Sequence, residues 1–217
     1  LTGSSITLSG AAVADGDADL HTTGAIELTG ALSARSASLT SGTQITNSGT
    51  LFGANALSFS AGGRIIQSGI AESGGIVAFN ARDIAVSGKT LGLSGVSLTA
   101  DSLMTTAGSD TQSGGALTFD ASGGLSTVGS ILALGALTIR SGADLLQGAH
   151  VALGAGGQIG AGGSLVQNGL IEGAGLFDLS GARISGSGSL TSSGAIAIRA
   201  LSGGIDLTGN LSAVSSI

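Results

Sequence analysis

Three aspartates at alternate positions, in the segment DGDAD at residues 15–19, form the most chemically suggestive motif of this chain. Carboxylates at this spacing occur at the start of calcium-binding loops, where oxygen ligands converge on one cation. The motif then departs from such a loop, because its sixth position is Leu20 and its twelfth is Ile26. We interpret the segment as an acidic, solvent-facing corner, and calcium binding by Asp15, Asp17 and Asp19 stays open.

Catalysis requires functional groups that converge, and the sequence offers few. His21 and His150 lie far apart, and neither has metal-ligand spacing or a nucleophile motif nearby. Sugar cleavage needs two carboxyls about 5 to 10 Å apart, but tyrosine and tryptophan, the usual sugar platforms, are absent. We expect no enzyme and no catalytic residue, although candidate carboxylates exist at Glu27, Glu72, Asp83, Asp101, Asp120, Glu172 and Asp178.

Glycines crowd residues 154–163, a spacing that resembles a nucleotide-binding loop. A phosphate loop needs a following helix, and often a Lys-Ser or Lys-Thr pair, and neither is indicated here. Tight chain corners explain the glycines better. We expect no cofactor, no metal and no small-molecule substrate.

Polar side chains recur at one place in the repeat, two residues after an apolar position. Stacked amides and hydroxyls can donate and accept hydrogen bonds along a stack of strands, so we interpret them as a structural polar ladder. The predicted members are Asn47, Gln67, Ser87, Thr127, Gln147 and Gln167.

Composition limits the possible folds. The 217 residues include 41 glycines but no proline, cysteine or tryptophan, and only 2% are aromatic. Such a chain fills a thin, regular interior. The net charge of −6 argues against nucleic-acid and anionic-membrane partners. The first residues lack the features of a signal peptide, so we expect an internal fragment of a longer chain.

A period of about 20 residues organises the whole chain. GALTF at 115–119 returns as GALTI at 135–139, and three rows of alternating apolar positions follow the same period. The first row is Ala18, Ala37, Leu57, Val77, Val96, Leu117, Leu137, Gly157, Phe177 and Ile196. The second row is Ile6, Ile26, Ile45, Ile65, Ile84, Leu103, Leu125, Leu145, Leu165, Ile184 and Ile205. The third row is Val13, Leu32, Leu51, Ile70, Leu91, Thr111, Ile131, Val151, Ile171, Leu190 and Leu211.

Three short strands in each repeat, without a break in phase, predict an all-β, parallel β-solenoid of about ten turns. Residues 1–217 are expected to form a single domain. Glycines that precede the first strand should turn corners, and we expect a positive φ at these positions. They are Gly75, Gly95, Gly115, Gly135 and Gly175.

Repeat units such as GGRIIQSGIAESGGIVAFNA and GALTIRSGADLLQGAHVALG make the chain resemble the repeat region of filamentous haemagglutinin-type exoproteins. That family includes bacterial surface adhesins and contact-dependent inhibition proteins exported by two-partner secretion. The resemblance implies a right-handed parallel β-helix. The family's secretion domain carries Asn-Pro motifs, and a chain without proline has none, so the resemblance implies the shaft.

The expected function is therefore the structural shaft of an exported adhesin on the Gram-negative cell surface. Its outer-membrane transporter would recognise a region outside this chain, and a distal region would bind receptors on host or bacterial cells or carry a toxin. The alternative is an extracellular fibre or biofilm matrix protein, in which solenoids associate end to end.

Overall fold

A computed structural model describes residues 2–215, and these residues contain 29 β-strands and no helix. All strands pair in parallel in one continuous sheet. The first thirteen strands are β1 (Thr2–Gly3), β2 (Ile6–Leu8), β3 (Ala11–Val13), β4 (Ala18–Thr22), β5 (Ile26–Leu28), β6 (Ala31–Ser41), β7 (Gln44–Asn47), β8 (Thr50–Ala61), β9 (Arg64–Gln67), β10 (Ile70–Ser73), β11 (Ile76–Val86), β12 (Lys89–Gly92) and β13 (Gly95–Thr105).

The remaining strands have three to six residues each, because corners separate the three faces of each turn. They are β14 (Asp110–Ser113), β15 (Ala116–Ala121), β16 (Leu125–Thr127), β17 (Ser130–Ala133), β18 (Leu137–Ser141), β19 (Leu145–Gln147), β20 (His150–Leu153), β21 (Gly157–Ala161), β22 (Ser164–Gln167), β23 (Leu170–Gly173), β24 (Phe177–Gly181), β25 (Arg183–Gly186), β26 (Ser189–Ser192), β27 (Ile196–Ala200), β28 (Ile205–Leu207) and β29 (Leu211–Ala213). By contrast, β6, β8, β11 and β13 have 11 or 12 residues each and continue through a corner.

Each strand pairs with the equivalent strand one turn later, which makes the chain a β-solenoid of about 11 turns with roughly 20 residues per turn. We call the faces first, second and third after the rows that they carry. Parallel strands lie about 4.8 Å apart, so the stack is about 50 Å long. The predicted fold class is confirmed.

The first and second rows lie where the sequence predicts, since every member pairs with the next member of its row. Their side chains fill the interior of the coil, except at the last turn, where Ile205 is 51% exposed. Phe59 and Phe79 stack there with ring centroids 4.6 Å apart. Gly157 lies in register with the fully buried Phe177.

The third row was wrong at three positions, Val13, Ile70 and Leu91. Val13 and Ile70 are exposed by 79% and 38%. Each of the three residues is the sequence neighbour of the residue that points inward. Because the side-chain period of a strand is two, a one-residue error moves a side chain to the opposite face. The residues that point inward in this row are Ala12, Ala71 and Thr90.

The predicted positive φ at corner glycines was also wrong for four of the five positions. Of the five, only Gly175 has a positive φ, of 82°. At Gly75 an added Cβ would collide with the carbonyl oxygen of Asn55 on the preceding turn, and at Gly115 with that of Ser94. These corners need glycine because neighbouring turns approach too closely for a side chain.

Candidate functional site

The acidic corner carries its three carboxylates on the outside of the solenoid. Asp15, Asp17 and Asp19 are exposed and alternate with half-buried residues. Within residues 2–215 no group of three His, Cys, Asp or Glu side chains has a geometry that could hold a metal ion. The geometry therefore assigns no cation to this corner.

The two histidines lie on different faces. His21 is exposed on β4, on the first face. His150 begins β20 on the third face, where its Nε2 lies 2.8 Å from Glu172 Oε1 on the following turn. Both side chains of that pair are about half exposed. The pair is a surface contact between neighbouring turns. Ser130 lies in register with His150 on the preceding turn, and the hydrogen bond of the imidazole goes to Glu172.

The candidate carboxylates are distributed over all three faces, and some of them pair with cations. Lys89 Nζ donates to Glu72 Oε1 at 2.7 Å. This hydrogen bond, together with the Coulombic attraction of Glu72, raises the pKa of Lys89 above its usual value of 10.5. Arg199 lies 3.3 Å from Asp178. These contacts join neighbouring turns and are typical of surface ion pairs.

Asp101 and Asp120 are the candidate carboxylates that share a depression, which Asn80, Thr99 and Ser122 also line. Ser122 Oγ donates to Asp101 Oδ1 at 2.9 Å in an exposed contact. Both aspartates are exposed. The depression supplies hydrogen-bonding groups but no buried acid and base pair.

The glycine-rich stretch 154–163 forms a corner, strand β21 and the next corner. No helix follows it within the described chain, so it offers no helix N-terminus for a phosphate. An added Cβ at Gly162 would collide with the carbonyl oxygen of Gly142. Tight corners therefore explain part of this stretch, while Gly157 and Gly160 are strand residues.

The predicted polar ladder lies in an inward row at the end of the second face, which we call the second-corner row. One member was wrong, because Val86 occupies the inward position of its turn and Ser87 is exposed. Thr105, which the sequence analysis missed, takes the place on the next turn. The row is Leu8, Leu28, Asn47, Gln67, Val86, Thr105, Thr127, Gln147, Gln167, Gly186 and Leu207.

Among the predicted amide members, one step of this row is a hydrogen bond between two side chains of neighbouring turns. Asn47 Nδ2 donates to Gln67 Oε1 at 2.9 Å and also to the carbonyl of Ile70 at 3.1 Å. Farther along, Gln147 and Gln167 each donate to a carbonyl two residues ahead in their own turn. Their Oε1 atoms are buried without a hydrogen-bond partner. The row thus links turns at Asn47 and Gln67 and bonds within its own corners at Gln147 and Gln167.

An exposed stripe of apolar side chains runs along the middle of the second face. It occupies outward positions of six successive turns, interrupted once by Ser126, and we call it the second-face stripe. Its most exposed members are Met104 at 46% and Leu146 at 40%. The stripe consists of Ile66, Ala85, Met104, Leu146 and Val166.

The stripe was not predicted from the sequence, although the sequence contains a signal for it. A strand with one solvated face should alternate apolar and polar residues. Instead, inward Leu103 is followed by Met104, and inward Leu145 by Leu146. Paired apolar residues at this one place of the repeat indicate a face that is apolar on both sides.

No helix of the described chain is long and apolar enough to cross a membrane. Comparisons of the chain with models of known families, with well-characterised proteins and with solved structures find no match.

Proposed function

We propose that this chain is the shaft of an exported bacterial adhesin, which projects a distal binding or toxin region away from the cell. The observation that carries the proposal is the continuity of the second row. Its eleven members pair from Ile6 to Ile205 without an interruption. A repeat array in which each turn contacts only its neighbours forms a rod. The number of turns then sets how far the rod reaches.

The interior supports the same conclusion. Phe119 on the first face, Leu125 on the second and Ile131 on the third are buried in one coil, with exposed fractions of 0%, 3% and 1%. Backbone hydrogen bonds continue from turn to turn, for instance from Gly142 N to Ala121 O at 2.8 Å. A filled core with continuous backbone bonding resists bending and proteolysis.

Export and partners belong to the proposal as well. The repeat units resemble filamentous haemagglutinin-type exoproteins, which supports a location on the Gram-negative cell surface. The outer-membrane transporter would engage a region outside this chain, and the segment itself would take no part in catalysis. Because the chain has a formal charge of −6, anionic membranes and nucleic acids repel the rod.

Deletion of whole turns in the full-length protein tests the shaft. Residues 125–164 span two periods, because Leu125 pairs with Leu145 and Leu145 with Leu165. Removing them joins equivalent positions, so we expect folded rods about 10 Å shorter. Cell adhesion should persist, since a spacer has no sequence-specific contact. The matched control removes 125–134, half a period, which places inward residues at the wrong face and should abolish folding and display.

Two results would overturn the proposal. Loss of adhesion by folded, displayed rods lacking 125–164 would show that this segment itself binds the receptor. Electron microscopy of the native protein at increasing concentration provides the second test. Filaments that lengthen with concentration and contain several chains would establish the fibre or matrix alternative, in which solenoids associate end to end.

A further inference from the structure

The second-face stripe is unlike the equivalent outward positions of the first face. There the middle of the strand carries Ser58, Ser97 and Thr118, among other small polar residues. On the second face Met104 and Leu146 stay exposed at the same kind of position. Scattered apolar surface residues are ordinary, but an aligned row of them marks an interaction surface.

Beside the stripe lies the position that precedes each second-row residue, and we call the residues at this position the flanking row. Four of its eleven members are charged, namely Arg64, Asp83, Asp144 and Arg183. Arg64 and Asp144 are exposed members of this flanking row. Arg64 lies two turns before the turn of Met104, and Asp144 lies two turns after it. Opposite charges are therefore equally distant from Met104 along the axis.

Two apolar members of the stripe are placed symmetrically about Met104. Ile66 lies two turns before Met104, and Leu146 lies two turns after it. A second copy, laid face to face with its axis antiparallel and the two-fold axis at Met104, would place Ile66 against Leu146 of that copy. The same operation places Arg64 opposite Asp144, and it does so twice because the contact is isologous.

We propose that the second-face stripe is a self-association surface on which two copies of this chain pack side by side and antiparallel, with Met104 at the two-fold axis. A parallel arrangement would also bring the stripes together. It would, however, place the flanking row against the opposite corner of the second copy, where Ser68, Ser87 and Asn168 carry no charge. Charge complementarity favours the antiparallel arrangement.

The contact is small. From Ile66 to Val166 the stripe spans five inter-turn steps, about 24 Å, and with its flanking row it covers roughly 400 Å² on each copy. Stable complexes bury about 800 Å² on each partner. The pairing is therefore weak for one chain, and it strengthens where many rods are held together on a surface.

Disulfide trapping tests the contact directly, because the chain has no cysteine of its own. Under mild oxidation Met104→Cys should form a covalent dimer at least tenfold faster than the control Thr118→Cys, which lies outward on the polar first face. Equal rates for the two variants would overturn the proposal.

The orientation has its own test. A mixture of Ile66→Cys and Leu146→Cys chains should give a crosslinked heterodimer, while neither variant crosslinks alone. Self-linking of Ile66→Cys would instead establish the parallel arrangement and overturn the antiparallel one.

Charge reversal provides a second, non-covalent measurement. In sedimentation at millimolar concentration, Arg64→Glu and Asp144→Arg should each weaken dimerisation severalfold, and the double variant should restore it. Asp144 Oδ1 also accepts a hydrogen bond from Ser164 N at 2.8 Å, so a purely local effect of its replacement would persist in the double variant. Failure of the double variant to recover would overturn the pairing of these two residues.

Discussion

Two stretches of the second-corner row contain the same kind of buried amide but bond it differently. Asn47 and Gln67 are linked across turns, and Asn47 Oδ1 also accepts a bond from Gly49 N at 3.2 Å. Gln147 and Gln167 are equally buried, at 0% exposure, yet neither bonds to the other. Each of these glutamines donates one N–H to a carbonyl of its own corner. Register alone therefore does not make a ladder, because the amide must also be oriented toward the next turn.

The largest expected effect is at Asn47→Leu. This change leaves Gln67 Oε1 without its donor and removes the bond to the Ile70 carbonyl, so the free energy of unfolding should fall by about 2–4 kcal/mol. The Leu side chain itself fits the row, since Leu28 occupies the preceding turn. Urea denaturation measures the loss.

A matched pair of threonines in the same row separates a bonded hydroxyl from an unbonded one. Thr105 Oγ1 donates to the Val128 carbonyl at 2.6 Å and accepts from Val128 N at 2.8 Å. Thr105→Val should therefore cost about 1–3 kcal/mol. Thr127 Oγ1 is buried without a partner, so Thr127→Val should raise stability by up to about 1 kcal/mol. Equal losses in both variants would contradict the assignment.

Gln147→Leu sharpens the comparison from the other side. The change removes one weak bond, from Nε2 to the Ala149 carbonyl at 3.3 Å, together with a buried oxygen that has no partner. These contributions oppose each other, so stability should stay within about 1 kcal/mol of the parent. A loss as large as that of Asn47→Leu would show that this glutamine does link turns.

The smallest effect concerns Lys89, whose carbonyl accepts the bond from Gln67 Nε2 at 3.3 Å. Glu72 raises the pKa of Lys89 in the folded state, so the pair stabilises the protein below pH 10.5 and loses its contribution as pH rises through the raised pKa. For a surface pair the loss is at most about 0.5 kcal/mol. Alkaline unfolding of the parent and of Glu72→Gln measures it, and no other lysine, tyrosine or cysteine titrates in that range.

The period and two of the three rows could be predicted from the sequence because apolar residues mark them at every turn, with Gly157 as the one exception. The third row failed where the inward residue is small. Ala71 and Thr90 fill narrow places in the coil, while the adjacent Ile70 points outward. Hydrophobicity then assigns the wrong residue to the interior, and only the register between turns shows which of the two adjacent residues points inward.

The hydrogen bonds and the second-face stripe were harder to predict. An alternating pattern locates Gln147 inside, but it does not show whether the donor goes to a corner carbonyl or to the next turn. Likewise, Met104 next to Leu103 looks like part of a buried strand until the backbone places one of the two outside. Both features depend on three-dimensional positions that a single sequence leaves open.

The constant spacing of partners has a consequence for how the molecule forms. Phe177 meets Ile196 across 19 residues, and Leu117 meets Leu137 across 20. Because the segment that must close does not lengthen as the rod grows, the entropic cost of adding a turn is the same at every stage. A chain emerging from a ribosome or a pore can therefore zip onto its own completed end, one coil at a time, and the growing edge serves as the template for the next coil.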